Sequence, residues 1–192
     1  MMFCEQMQVS ELLAKLNSES ELTDDELLDV LKQIVHCKSD DFPDDLSKCK
    51  LLELLALLRE PRAPFIWLHT CVILGHICSK FTFARVELAR LGVLSCLAKV
   101  ISESLASLAS VTVSEDNLNV YAELVRFIMV VLVDHFSRGS SLCIRKLLQY
   151  DVLAAVLSAV DYFTPALFDS AVSGMFLKSN NLALGATRYW HQ

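Results

Sequence analysis

The chain is poor in residues that break helices. It has only five glycines and four prolines in 192 residues. This excludes collagen-like repeats and Pro/Gly-rich low-complexity segments. It also leaves little material for the glycine-rich loops that cradle phosphate. Neither G-x-x-x-x-G-K-[ST] nor G-x-G-x-x-G occurs, and the G-x-S-x-G elbow and the H-E-x-x-H metal helix are missing too. An enzyme is therefore not expected. Long apolar runs are absent as well. A spanning helix needs about 18 or more apolar residues in a row, whereas the best run, 127–133, is bounded by Arg126 and Asp134. The start, Met1-Met2-Phe3-Cys4-Glu5, carries an acid where a secretory signal carries a base. The expectation is no membrane insertion and an intracellular protein, cytoplasmic or nuclear.

Positive charge is also in short supply, with 17 Lys and Arg against 23 Asp and Glu and a formal net charge of −6. A phosphate-backbone surface needs clustered cations, so direct nucleic acid binding is not expected. The acids concentrate early, at Glu19, Glu21, Asp24, Asp25, Glu26 and Asp29, then Asp40, Asp41, Asp44 and Asp45. They read either as solvated helix starts and a loop, or as an acidic surface for a basic partner. The seven cysteines are odd in number and contain no C-x-x-C pair. With no secretory signal, that argues against a disulfide framework and for buried cysteine acting as a small hydrophobe.

What the chain has in quantity is apolar side chains, at 54% of residues, which excludes a disordered segment. They recur at helical spacing. Leu12, Leu13 and Leu16 form one set, and Leu27, Leu28, Leu31, Ile34 and Val35 another. Thr23-Asp24-Asp25-Glu26 has the form of a capping box. Further helices are predicted over 46–58, 65–79 (opened by Pro64), 83–91, 93–104, 118–136, 142–149 and 152–162, and Pro165 is predicted to open a last one to about 178. Phe65 and Trp67 are expected in the core. No alternating pair of strands joined by a hairpin turn occurs, so the fold class is all-α.

The helices repeat. Leu74-Gly75-His76-Ile77-Cys78-Ser79 stands beside Leu132-Val133-Asp134-His135-Phe136-Ser137, and 16 residues separate both His76 from Gly92 and His135 from Asp151. Gly92-Val93-Leu94-Ser95-Cys96-Leu97 and Asp151-Val152-Leu153-Ala154-Ala155-Val156 follow at matching positions. A weaker earlier copy runs through Leu31-Lys32-Gln33-Ile34 and Lys50-Leu51-Leu52-Glu53-Leu54-Leu55. Lys50 to Gly92 is 42 residues and Gly92 to Asp151 is 59. The surplus is assigned to an inserted Ser-rich loop over 102–117, at the junction of the second and third repeats. One helical repeat cannot bury its own apolar face, so about three must stack.

In this spacing, and in Ala89-Arg90-Leu91-Gly92-Val93-Leu94-Ser95-Cys96-Leu97-Ala98-Lys99-Val100, the chain resembles the armadillo/HEAT superfamily from about residue 24 to 180. The resemblance implies a right-handed α-solenoid of three to four repeats, the last incomplete, forming a single domain over 1–192. It further implies that the third helix of each repeat lines a concave surface. Peptide-binding members present there a Trp and, four residues later, an Asn. The Asn slots here hold Gln33, His76 and His135, and the Trp slots hold Asp29, Val72 and Val131. The Trp–Asn ladder is missing, so recognition of an extended basic peptide does not carry over.

The candidate partner-binding groove is therefore Gln33, His69, Val72, His76, Val131 and His135. The competing reading is polar residues on a partly exposed helix face. A metal site is not expected. His69 and His76 share one helix face and Cys71 and Cys78 another, about 160° apart at 100° per residue. No cofactor is implied. An array stopping in its fourth repeat would expose an apolar end, for which Met175, Tyr189 and Trp190 are the candidates. The expected function is a non-enzymatic scaffold for a peptide or helix of a partner protein. The alternative is a structural domain that dimerises or stacks on further repeats, with self-association through the C-terminal end.

Overall fold

The computed structural model describes residues 9–16, 22–37, 48–110 and 114–173, and among them there is helix but no strand. Contacts divide the chain into two compact units, Met1–Val156 and Leu157–Gln192.

The first unit begins with α1 (Val9–Leu16), which buries Val9, Leu12 and Leu13 and packs on α2 (Asp24–His36). The capping box forms: the Glu26 amide donates to Thr23 Oγ1 at 3.4 Å, and the Thr23 amide donates to Glu26 Oε2 at 3.0 Å. Helix α2 buries Leu27, Val30, Leu31 and Ile34, a spacing that keeps one face inward. Helix α3 (Lys48–Arg59) buries Leu51, Leu54, Leu55 and Leu58. Helix α4 (Pro64–Lys80) takes Pro64 in its first turn, where no backbone donor is needed. Just before it, Arg62 donates to Asp24 and to Glu60, each at 2.7 Å. This pair sets the starts of α2 and α4 side by side.

Helices α5 (Thr82–Leu91) and α6 (Val93–Leu108) meet at a 71° bend. Gly92 makes the bend with φ of 88°, the left-handed cap that favours glycine. A Cβ there would meet nothing within 4 Å, so the cost of alanine is conformational. Gly92→Ala is expected to lose about 1–2 kcal/mol, read as a lower urea midpoint, with Gly92→Asn losing less. Among the described residues no single helix is long and apolar enough to cross a membrane; only the bent pair α5–α6 passes by length and composition. Both of its members bury a face, α5 through Ala84 and Leu88 and α6 through Leu94, Leu97 and Ile101.

Helix α7 (Glu115–Val131) ends in a wider π turn (Leu132–Phe136), closed by the Ser137 amide donating to the Leu132 carbonyl at 3.0 Å. Helix α8 (Ser141–Leu147) is capped by Ser140, whose Oγ accepts from the Cys143 amide at 3.4 Å. Helix α9 (Tyr150–Ser173) closes the first unit with Val152 and Ala155 buried, and its residues from Leu157 onward belong to the second.

Helix α2 packs on α4, α4 on α7, α3 on α6, and α5 on α8. Helix α4 also packs on α3, and α7 on α6.

Several expectations are corrected. The loop expected over 102–117 is shorter, because α6 runs on to Leu108 and α7 starts at Glu115. Its serines are helical: Ser102 and Ser107 donate to the Ala98 and Glu103 carbonyls at 3.0 Å each, satisfying their hydroxyls within the helix. Pro165 does not open a new helix but lies inside α9. It removes one backbone donor, while the Thr164 hydroxyl donates to the Val160 carbonyl at 2.7 Å and keeps the preceding turn bonded. Asp151 does not copy Gly92. It sits in the first turn of α9, and among the described residues no non-glycine has a positive φ. Trp67 is buried, but Phe65, two residues earlier on α4, is exposed. At 100° per residue two positions lie about 160° apart, so only one can face inward.

Candidate partner-binding face

Helix α4 packs on both α2 and α7, and the exposed and half-buried residues of these three helices define the candidate face. On α2 these are Asp25, Asp29, Lys32, Gln33 and His36. Lys32 lies 3.7 Å from Asp29, an exposed pair one helical turn apart. On α4 the stripe is Phe65, His69, Val72, His76 and Ser79, stepping by four and three residues as a single helix face requires. Phe65 and Ser79 are exposed; His69, Val72 and His76 are half-buried.

His69 Nδ1 lies 2.7 Å from the Phe65 carbonyl. A carbonyl can only accept, so Nδ1 carries the hydrogen and a neutral ring keeps Nε2 as an acceptor. Burial holds this imidazole below its ordinary range; Lys32 and His36 push the same way and the Phe65 hydrogen bond opposes them. Lys32 and His36 thus lie within electrostatic reach of His69 across the α2–α4 seam. Burial lowers His76. Both rings favour the neutral form near pH 7, able to donate one hydrogen bond and accept another.

On α7 the expected residues face the other way. Val131 is 3% exposed and His135 is 7% exposed. They fall in phase with Leu124 and Ile128, both buried, at steps of four, three and four residues. That phase was available in the sequence, but aligning His135 with His76 obscured it. The π turn explains the error. It adds one residue to the helix, so the 59-residue alignment with α4 puts Val131 and His135 one position away from the exposed side. With one residue fewer, Val72 aligns with Val130 and His76 with Asp134. Val130 and Val133 are indeed exposed, at 46% and 53%, and Asp134 with them. Along the same stripe Glu123 and Arg126 lie 4.0 Å apart, as do Asp134 and Arg138. Gln33, His69, Val72 and His76 are thus exposed or half-buried, Val131 and His135 are buried, and Val130, Val133 and Asp134, which sequence reasoning missed, are exposed. Met175, Tyr189 and Trp190 lie outside the described residues.

His135 is instead buried. Burial lowers its pKa, the Arg85 guanidinium adds to this, and Asp134 opposes it. Cys71 and Cys78 are core residues; burial pushes the Cys71 thiol far up and the Cys78 thiol up to about 12. Such thiols stay protonated and unreactive near neutral pH. Among the described residues no three of His, Cys, Asp and Glu converge to hold a metal ion.

No protein-family model, curated protein or solved structure matches the chain.

Proposed function

We propose that the chain is an armadillo-like, right-handed α-solenoid that acts as a non-enzymatic scaffold, binding a peptide or helical segment of a partner protein on the α2–α4–α7 face. The observation that carries this reading is the packing of like with like: α2, α4 and α7 side by side, α3 on α6, and α5 on α8. That is the order in which stacked three-helix repeats place their third, second and first helices. The face also suits a protein partner. It mixes apolar Phe65, Val72, Val130 and Val133 with neutral imidazoles and short ion pairs, and a protein interface of this kind buries apolar anchors within a polar rim.

A second reading rests on a separate observation. In the first unit Ile144, Leu148 and Leu153 are exposed, Leu148 at 64%. Such residues on the last repeat favour self-association or stacking on further repeats.

One experiment separates the two. Wild type, Val130→Asp with Val133→Asp, and Ile144→Asp with Leu148→Asp are used as bait, and each is weighed by size exclusion with light scattering. The scaffold reading expects the first pair to lose a specific captured protein about tenfold or more, with the thermal midpoint nearly unchanged. It also expects wild type to be a monomer at all concentrations. A concentration-dependent dimer abolished only by the second pair would overturn it in favour of self-association.

A further inference from the structure

Cations are the scarcer charge in this chain, 17 against 23 acids, so an acid is usually at hand for each. Lys32, Arg90, Lys99, Arg126 and Arg138 each find one three or four positions away. Arg59 and Arg85 donate instead to the Leu91 and Cys78 carbonyls, at 3.0 and 2.6 Å. Arg145 and Lys146, in the last turn of α8, differ. Among the described residues neither has a hydrogen bond or an ion pair. The sequence explains this, since no acid occurs between Asp134 and Asp151.

Helix α8 sets these cations beside apolar surface. Ser141, Ile144, Arg145 and Leu148 are exposed and stand at positions i, i+3, i+4 and i+7, which is one helix face. The Leu148 amide donates to the Ile144 carbonyl at 3.0 Å, so the turn that carries them is intact. The opposite side is fixed: Cys143 is buried, and its Sγ donates to the Arg85 carbonyl of α5 at 3.7 Å. Ile144 is 41% exposed, and Leu148, at 64%, is the most exposed large apolar side chain described. Lys146, half-buried, flanks the strip.

We propose that this strip of α8 is a docking site for a short acidic amphipathic helix of a partner protein, which sets carboxylates on Arg145 and Lys146 and two apolar side chains on Ile144 and Leu148. Ile144 and Leu148 lie about 6 Å apart along the axis, at about 1.5 Å per residue. Two partner residues one helical turn apart span the same distance.

Charge decides among the occupants. A two-fold contact between copies through this strip would oppose Arg145 and Lys146 to their own equivalents, and like charges facing each other are repelled. An anionic membrane surface is held by clusters of about four to eight cations, and a nucleic acid backbone likewise rewards many. Two cations beside two apolar side chains fit neither. An acidic segment with apolar anchors satisfies both halves of the strip. The site uses no residue of α2, α4 or α7, so its failure would leave the groove reading standing.

Selection of a random-peptide library on the full-length chain tests this, with recovered sequences remade as fluorescent peptides. They are expected to carry Asp or Glu beside two apolar residues one turn apart. Affinity should fall about tenfold or more in Leu148→Asp and in Arg145→Glu with Lys146→Glu. It should fall less in Arg145→Gln with Lys146→Gln and hold in Val130→Asp with Val133→Asp. Replacing the peptide acids by lysine should restore binding to the Arg145→Glu, Lys146→Glu pair. If that pair does not fold, the glutamine pair decides. Failure to recover peptides, peptides without acids, affinity unchanged in the glutamine pair, or loss confined to the Val130, Val133 pair would overturn the proposal. So would a wild-type dimer lost in Leu148→Asp, which gives the strip to a second copy, or tighter binding to phosphatidylserine vesicles than to any recovered peptide.

Discussion

Phe136→Ala is expected to lower unfolding stability by about 3–5 kcal/mol, the cost of truncating a buried aromatic. Val133→Ala, three residues earlier, should change it by no more than about 0.5 kcal/mol. Phe136 is among the largest fully buried side chains, while Val133 stands in solvent on the same π turn. The wide turn brings Phe136 inward together with Leu132 and His135, and closing collapse around the lost ring is limited because α4, α7 and α8 all pack there. Urea unfolding of both variants checks this. Comparable losses at the two positions would mean that the turn does not sort its side chains as described.

Trp67→Ala should cost a similar amount, about 3–5 kcal/mol. Its ring is buried and its Nε1 donates to the Glu60 carbonyl at 3.2 Å, tying the start of α4 to the end of α3. Trp67→Phe retains most of the packing and loses that hydrogen bond, for about 1–2 kcal/mol. Phe65→Ala, on the exposed side of the same turn, should cost less than about 1 kcal/mol. Thermal melts of the three give the order Trp67→Ala, Trp67→Phe, Phe65→Ala. A Phe65→Ala loss as large as that of Trp67→Ala would place the helix the other way round.

Much of the helix pattern was legible because its causes are local. Thr23 and Glu26 meet within one turn, so the capping box could be read from four consecutive residues. Pro64 opens α4 and Gly92 ends α5 for reasons confined to their own backbone. The misreadings were also local in origin. Serine in 102–108 looked like loop, yet in α6 these hydroxyls bond back to carbonyls four residues earlier. Pro165 looked like a start, yet α9 passes through it.

On α4 His69, Val72 and His76 were read from one unbroken period, while Phe65, in the same period, was assigned to the core. On α7 the period was misread. Sequence similarity aligned His135 with His76, and one residue gained in the π turn shifted the alignment between exposed and buried sides. Rotation by one residue is about 100°, enough to move a side chain from the surface to the core.

From its residues alone the chain is helical, because apolar side chains recur every three to four positions and almost nothing interrupts them. Which histidines meet solvent was decided by packing. His69 and His76 stay half-exposed beside α2 and α7, while His135 is enclosed near Arg85, a residue fifty positions earlier in the chain. Helical period is a property of neighbouring residues, but burial depends on which distant helix arrives to cover a face, and no window of consecutive residues contains that.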